Sequence, residues 1–151
     1  MTARTDFMGM ALEEARLAAR RGEVPVGAVL ARRGKVIACA GNRTRELRDP
    51  TAHAEMLAIR EAAAALSNER LSEADLYVTL EPCAMCAGAI SFARIRRLYF
   101  GTEDVKGGAV SNGPQFFAQE TCHHAPEVYA GMGGEEAGEM LRGFFAGKRS
   151  G

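Results

Sequence analysis

Strand-like and helix-like segments alternate along most of this chain, and that alternation restricts its fold more than any other feature. Short β-prone runs such as VGAVLA and KVIACA are followed by a stretch in which Met56, Ile59 and Ala63 recur at helical spacing. Strands that alternate with helices are typical of a sheet covered by helices. The first two strands predict a hairpin. We therefore expect an α/β fold, a three-layer α/β/α sandwich around a mixed five-stranded sheet.

Capping residues and helix breakers predict where the elements begin and end. Asp6 is a favoured N-cap residue, Gly22 a favoured helix stop, and Gly34 marks the hairpin turn. The predicted elements are a helix over 6–21, strands over 26–31 and 35–40, a helix over 52–66, a strand over 75–80, a helix over 82–94, a strand over 95–101, an irregular segment over 102–126, a strand over 127–130 and a helix over 135–148.

Two short motifs, PTAHAE at 50–55 and PCAMC at 82–86, contain residues that bind metals. Each starts with a proline, which is favoured at the first helical position because no backbone hydrogen bond is lost there. Cys83 and Cys86 are then expected on one face of a first turn, where the helix dipole favours thiolates. His53 lies near the start of the other helix, so two helix N-termini can converge on one ion.

Zinc bound by one imidazole and two thiolates has no net charge and keeps one tetrahedral position open. An open position is typical of a catalytic site. Glu55 follows His53 by two residues and is better suited to proton transfer beside that position than to ligation. Its carboxylate can take a proton from water and deliver it to a substrate nitrogen.

Spacing alone leaves other interpretations open. A single C-x-x-C pair also occurs in redox centres, and the cysteines can simply be packed in a core. A structural zinc site could combine Cys83 and Cys86 with Cys122 and His123, which would leave the HAE motif without a role. In this order, however, HAE followed by PCAMC matches the H-x-E and P-C-x-x-C signature of the zinc deaminases.

Composition bounds the cellular setting. Nineteen basic and nineteen acidic residues give a formal net charge of zero, so no global positive field indicates nucleic-acid binding. Arg43, Arg45 and Arg48 form a local cluster that is compatible with phosphate contact. No apolar run reaches the roughly 20 residues of a membrane span, and the N-terminus lacks the apolar core of an export signal. We expect one domain over 1–151, no membrane association and a cytoplasmic location.

Longer stretches around the two motifs carry a resemblance to a known family. They are VPVGAVL, GNR, DPTAHAE, LYVTLEPCAMCAGAI, RIRRLYFG and FFAGKR. Together they resemble the bacterial tRNA-specific adenosine deaminases, from about residue 24 to residue 149. The resemblance implies a cytidine deaminase-like fold, a homodimer and hydrolytic conversion of adenosine to inosine at the wobble position of a tRNA anticodon loop. After Lys106 the chain reads GGAVSNGPQFF, where it departs from many relatives.

The resemblance also implies roles for particular residues. One zinc ion per subunit would be held by His53, Cys83 and Cys86, and Glu55 would move protons. Asn42 resembles the residue that hydrogen-bonds the flipped nucleotide.

Further positions are assigned to the substrate by the same resemblance. Val26 and Ala54 would line the pocket for the base. Asp104 and Lys106 match positions that contact the neighbouring nucleotides, and Phe145 lies where the last helix meets the anticodon loop. Phe145 could instead pack in the core.

Two other functions are compatible with the sequence. The first is deamination of a free nucleobase or nucleoside of the guanine or cytosine type, which needs a closed pocket but no basic groove. The second is a non-catalytic RNA-binding module held together by zinc. Cys39 and Cys122 are interpreted as packing cysteines, and an apolar helix face with Ile90 and Phe92 suits a homodimer.

Overall fold

A five-stranded mixed sheet lies between two layers of helices in the computed structural model. The structure describes residues 5–149, without the side chains of residues 148 and 149. The elements are α1 (Phe7–Arg20), β1 (Gly27–Arg32), β2 (Lys35–Gly41), α2 (Ala54–Leu66), β3 (Ala74–Leu80), α3 (Ala84–Phe92), β4 (Arg97–Thr102), a 3₁₀ turn (Phe116–Ala118), β5 (Glu127–Ala130) and α4 (Gly134–Arg149). The predicted fold class is confirmed.

The strands lie in the order β2-β1-β3-β4-β5. Strand β1 pairs antiparallel with both β2 and β3, whereas β3, β4 and β5 are parallel to one another. The parallel pairs need crossover connections, which α3 supplies between β3 and β4. The hairpin therefore forms one edge of the sheet and β5 the other.

Alternating side chains on the strands build two apolar cores. On one face Leu30, Leu76 and Val78 are buried with residues of α2 and α3. On the other face Val29 is buried with residues of α1 and α4, and Tyr77 packs against that cluster. This period of two along each strand is why the helices divide between the faces.

Two predicted helix starts are wrong. Pro50 and Pro82 do not occupy first helical positions, because α2 begins at Ala54 and α3 at Ala84. Each proline instead lies in the turn before its helix. At the N-terminus of α1 the expectation holds, since the Asp6 side chain accepts a hydrogen bond of 2.8 Å from the Gly9 N–H.

The ends of β2, β3 and β4 and the start of β1 lie at the same end of the sheet. Leu80 at the end of β3 is paired with Thr102 at the end of β4. Gly27 at the start of β1 is paired with Gly41 at the end of β2, and its N–H donates to Thr79 Oγ1 over 3.1 Å. The residues that follow or precede these ends are therefore brought together, as is usual for sites at the carboxyl ends of strands.

None of the described helices carries an apolar stretch of the length that crossing a membrane requires. The interpretation of 1–151 as one domain stays a prediction.

We expect Gly27→Ala to destabilise the fold by about 2 kcal/mol or more. A Cβ atom at this position would lie 1.9 Å from Ala11 O and 2.7 Å from Ala15 N, both in the backbone of α1, so neither can rotate away. The measurement is the free energy of unfolding in a denaturant titration. Gly143→Ala is the matched control, since its added Cβ would have no atom within 4 Å apart from the adjacent backbone of its own helix. That control should stabilise α4 by up to about 1 kcal/mol. Equal stabilities for the two variants would contradict the packing argument.

Candidate metal centre and active site

The side chains of His53, Cys83 and Cys86 converge at the end of the sheet where β2, β3 and β4 terminate. Their ligand atoms all lie within 4.8 Å of one another. His53 Nδ1 is 3.7 Å from Cys83 Sγ and 3.6 Å from Cys86 Sγ. A tetrahedral zinc ion with its usual bond lengths to nitrogen and sulfur separates two such atoms by about 3.6 Å. The three residues therefore fit zinc in both donor chemistry and spacing.

The helix N-termini give these side chains their directions. His53 and Cys83 are the N-cap residues of α2 and α3, both with extended backbone, and neither side chain makes a capping hydrogen bond. Ser, Thr, Asp or Asn normally turns back to bond the helix at this position. Here the side chains are left to face each other. Cys86 lies in the first turn of α3 and is fully buried.

Asn42 supplies the capping interaction that His53 does not make. Its side-chain Oδ1 accepts a hydrogen bond of 2.8 Å from the Ala54 N–H, and the Asn42 N–H donates to Val26 O over 3.1 Å. Val26 and Ala54 are both buried. Within the described residues, Asn42 Nδ2 makes no hydrogen bond. The three residues predicted to bind the base thus lie together beside α2, and Asn42 retains two donors.

Glu55 is buried beside the three potential ligands, with 3% of its surface exposed. Burial raises the pKa of its carboxyl above the ordinary value, opposed by a hydrogen bond from its own N–H and by the nearby His53. A raised pKa makes a carboxyl better suited to accept and then release a proton than an ordinary, fully ionised one.

Hydrogen bonds among the two thiols and the imidazole shift the pKa values of all three groups. A hydrogen bond from Cys86 lowers the pKa of Cys83 to about 4. The same contact, together with burial, raises the pKa of Cys86. A hydrogen bond to Cys83 raises the pKa of His53, although burial opposes it. The metal-free site therefore holds a proton on Cys86 and, at lower pH, another on His53.

Two buried glutamates that sequence reasoning missed hold the loops beside the site. Glu81 and Glu23 are each 2% exposed. The Glu81 carboxylate accepts hydrogen bonds from Asp104, Val110, Ser111 and Asn112. The Glu23 carboxylate accepts them from Thr44, Arg45 and Glu46. The sequence signal for both is a glutamate close to an apolar strand. Such a residue can be buried, and a buried charge requires hydrogen-bond partners.

Both of these carboxylates are charged at neutral pH. Burial raises the pKa of each, but the hydrogen bonds from the loops outweigh it and leave both values below the ordinary one. A group with a lowered pKa stabilises the fold above its unfolded value, and that contribution is lost as the pH falls through the folded value. The two loops are therefore held most firmly at neutral pH.

A groove of about 790 Å³ lies between α4 and the segment after β4. Asp104, Lys106 and Phe145 line it, together with Arg142. Phe145 is 47% exposed and meets the half-buried Phe144 edge to face, with ring centres 5.4 Å apart. The alternative that Phe145 is a core residue is wrong. The residues that line this groove do not include the metal-binding set.

The alternative zinc site with Cys122 does not form in the described part of the chain. Its sulfur lies 3.5 Å from Ser91 Oγ and 3.2 Å from His124 O, and the group of potential metal ligands found among residues 5–149 excludes it. Cys122 is half-buried, as a packing residue can be. Cys39 is exposed on the edge strand β2, so its interpretation as a packing residue is wrong.

We expect the zinc affinity to fall as the pH is lowered. Zinc binds thiolates and neutral imidazole, so it must displace the proton held by Cys86 and, below the raised pKa of His53, a second proton. Affinity should change about tenfold per pH unit where one proton is displaced and about 100-fold where two are. Competition with a chromophoric chelator between about pH 6 and pH 8 measures this slope.

Cys122→Ala is the matched control for that titration, because it removes a thiol that lies outside the three-residue set. It should leave both the affinity and its slope unchanged, whereas His53→Ala should abolish tight binding. Zinc retained by His53→Ala and lost by Cys122→Ala would instead support the structural site.

Comparisons with known proteins agree with this geometry. Residues 1–102 match the family described as the cytidine and deoxycytidylate deaminase zinc-binding region. A tRNA-specific adenosine deaminase of Agrobacterium fabrum (strain C58) is 64% identical over 149 residues, which cover 99% of this chain and 98% of the relative.

Solved structures show the same fold. One, from a study of A-to-I editing by tRNA:A34 deaminases at the wobble position of transfer RNA, has a TM-score of 0.90 and 65% identity and covers 91% of this chain and 100% of its own. A guanine deaminase from Nitrosomonas europaea has a TM-score of 0.82 at 26% identity and covers 97% of this chain and 86% of its own.

The family match spans more than half of the sequence, and the Agrobacterium relative is similar over nearly its whole length. This chain therefore belongs to the cytidine and deoxycytidylate deaminase family and, within it, to the tRNA-specific adenosine deaminases.

Proposed function

We propose that this protein converts adenosine to inosine by zinc-dependent hydrolysis at the wobble position of a tRNA anticodon loop. The observation that carries the chemistry is the buried Glu55 beside the converging side chains of His53, Cys83 and Cys86. The substrate follows from similarity to the tRNA-specific adenosine deaminases. We propose one zinc ion per subunit.

In this mechanism His53 Nδ1 and the two cysteine sulfurs hold the metal. The chemistry that zinc supplies when bound is activation of water for attack on adenine C6. Glu55 accepts the proton that the water loses and delivers it to the ring N1. It then takes the proton of the hydroxyl group added at C6 and passes it to the amine, so that the C6–N bond breaks as the C6 carbonyl forms and ammonia leaves. Its burial excludes bulk water from these transfers, which keeps the proton between the carboxyl and the substrate.

The base is held by residues that also shape the start of α2. Asn42 offers its two Nδ2 donors to the flipped nucleotide, while its Oδ1 remains bonded to the Ala54 N–H. Val26 and Ala54 form the wall of the pocket in this proposal. The target base must leave its stack, which costs at most a few kcal/mol in an anticodon loop because the base is unpaired there.

The groove between α4 and β4 provides room for the nucleotides beside the target. Lys106 and Arg142 supply positive charge for phosphate, Asp104 supplies acceptors, and the exposed ring of Phe145 supplies a surface for stacking a base. Phosphate contact requires only such local groups, so a formal net charge of zero does not exclude RNA.

The second candidate is deamination of a free base. The similarity to the guanine deaminase from Nitrosomonas europaea favours it, because that enzyme shares the fold at 26% identity. An enzyme for a free base has no need of this groove or of the charges of Lys106 and Arg142 that line it. We therefore prefer the RNA substrate.

We also propose that the protein is a homodimer. Phe92 at the end of α3 is 76% exposed, which a second subunit would cover. Ile90 is fully buried, so the expectation that it shares an exposed face with Phe92 is wrong. A monomer in sedimentation equilibrium at micromolar concentration would contradict the proposal. A cytoplasmic location stays a prediction.

The decisive experiment offers the purified protein an anticodon stem-loop with adenosine at the wobble position. We expect inosine from this RNA and none from free adenine, adenosine, guanine or cytidine, because only the RNA fills both the pocket and the groove. Nuclease digestion followed by mass spectrometry measures the product. A stem-loop with the adenosine moved one position along the loop is the control. Turnover of guanine or cytidine without turnover of RNA would establish the second candidate instead.

We expect Glu55→Gln to retain zinc and to lose at least about 100-fold in maximal rate, because the amide cannot carry the proton. Metal content by atomic emission and single-turnover deamination give the two readouts. Glu61→Gln changes an exposed carboxylate on the same helix and should behave as the unaltered protein. Loss of zinc from Glu55→Gln would show that this residue is a ligand rather than a proton carrier.

A further inference from the structure

We propose that Glu81 is a positioning residue for the RNA substrate: its carboxylate fixes the loop of residues 104–112, and with it Asp104 and Lys106, against the turn that carries Cys83. The inference rests on the proposed function, because it explains how this loop contributes to the affinity for RNA. Glu81 touches neither the reacting atoms nor the base in this scheme. It acts through the loop.

Five N–H groups of this loop surround the Glu81 carboxylate. Oε1 accepts from Asp104 N at 3.0 Å and from Asn112 Nδ2 at 2.7 Å. Oε2 accepts from the backbone N–H groups of Val110, Ser111 and Asn112 at 3.0, 2.8 and 3.0 Å. Hydrogen bonds to a charged acceptor are stronger than neutral ones. Both ends of the loop are thus bonded to one side chain.

The sheet explains why this residue reaches the loop. Glu81 directly follows β3, and the loop begins two residues after β4, its parallel neighbour. The Glu81 N–H donates to Thr102 O over 2.9 Å, which continues the pairing of the two strands. On the other side, Ala109 N donates to Pro82 O over 2.9 Å. The loop is therefore attached to the residues on which the position of Cys83 depends.

The middle of the loop approaches the carboxylate so closely that it requires glycine. A Cβ atom at Gly108 would lie 2.4 Å from Glu81 Cδ and 2.5 Å from Asp104 O. Gly107 N donates to Asp104 Oδ1 over 2.9 Å, which orders the exposed tip where Lys106 lies. The backbone of the 104–112 loop and the Glu81 carboxylate are therefore packed directly against each other.

Only a carboxylate satisfies all of these donors. In Glu81→Gln the amide NH₂ replaces one oxygen and then faces either the two donors at Oε1 or the three at Oε2. Either orientation places donor against donor, so part of the loop must move away. The substitution preserves size and keeps the fold largely intact while it removes the property that the proposal requires.

The test measures single-turnover deamination of the anticodon stem-loop by the zinc-loaded protein, at a temperature well below unfolding. For Glu81→Gln we expect the half-saturating RNA concentration to rise about tenfold or more, which corresponds to the loss of one charge-assisted hydrogen bond. The maximal rate should change much less, and the zinc content should not change. Gly108→Ala should show the same pattern because it displaces the loop without altering the carboxylate. Glu120→Gln removes an exposed charge from the same irregular segment and should match the unaltered protein.

Hydrogen exchange separates local from general loosening. Amides of the 104–112 loop should exchange faster in Glu81→Gln and remain protected in Glu23→Gln, which alters an equally buried carboxylate that holds residues 44–46. Faster exchange throughout the chain in Glu81→Gln would indicate a merely structural role and overturn the proposal.

A double-mutant cycle with Lys106→Ala tests whether Glu81 acts through the loop. If it does, adding Glu81→Gln to Lys106→Ala should raise the half-saturating concentration far less than it does alone. Additive effects, or an unchanged half-saturating concentration in both Glu81→Gln and Gly108→Ala, would overturn the inference while the proposed function stands. Absence of inosine with the unaltered protein would instead overturn the proposed function, and the RNA role of Glu81 with it.

Discussion

The site depends on one constraint: the N-termini of α2 and α3 converge at the same end of the sheet. At each terminus the N-cap side chain, His53 or Cys83, is directed toward the other helix instead of back to its own backbone. Such an arrangement forgoes a capping interaction of about 1 kcal/mol at each helix. For α2 the loss is offset by Asn42, whose oxygen bonds the Ala54 N–H. One residue thereby ties the stability of the helix to the place where the substrate is proposed to bind.

The loops around this end of the sheet are held by hydrogen bonds to buried carboxylates. Polar loop backbone cannot form an apolar core, but it can surround an anion. Glu23 and Glu81 each provide one, the first for the segment after Asn42 and the second for the 104–112 loop. Glu81 directly follows β3 and Glu23 lies between α1 and β1, so both loops are fixed relative to the side chains of His53, Cys83 and Cys86.

The sequence predicts what depends on repeating patterns and fails where a single contact decides. The alternation of strand-like and helix-like segments predicts the sheet and its helices, and the HAE and PCAMC motifs identify the three residues that converge. Pro82 was misplaced because its preference for a helix start does not distinguish the first helical residue from the turn before it. Cys39 was misjudged because exposure on an edge strand follows from strand order, which the sequence does not specify. Glu81 was missed because its partners lie in a loop that meets it only through the register of β3 and β4.

This division between framework and loops also accounts for the breadth of the family. The guanine deaminase from Nitrosomonas europaea shares the fold with 26% identity, so a common framework is compatible with different substrates. The three candidate metal ligands, His53, Cys83 and Cys86, lie at the starts of α2 and α3, and these helices pack against the sheet. The proposed contacts of Asp104 and Lys106 lie on a loop that is attached by hydrogen bonds to the Glu81 carboxylate and by the Ala109 N–H to Pro82 O. A change in that loop can alter the substrate while the cores on both faces of the sheet are left intact. Glu81 thus connects the loop that carries Asp104 and Lys106 to the turn that carries Cys83.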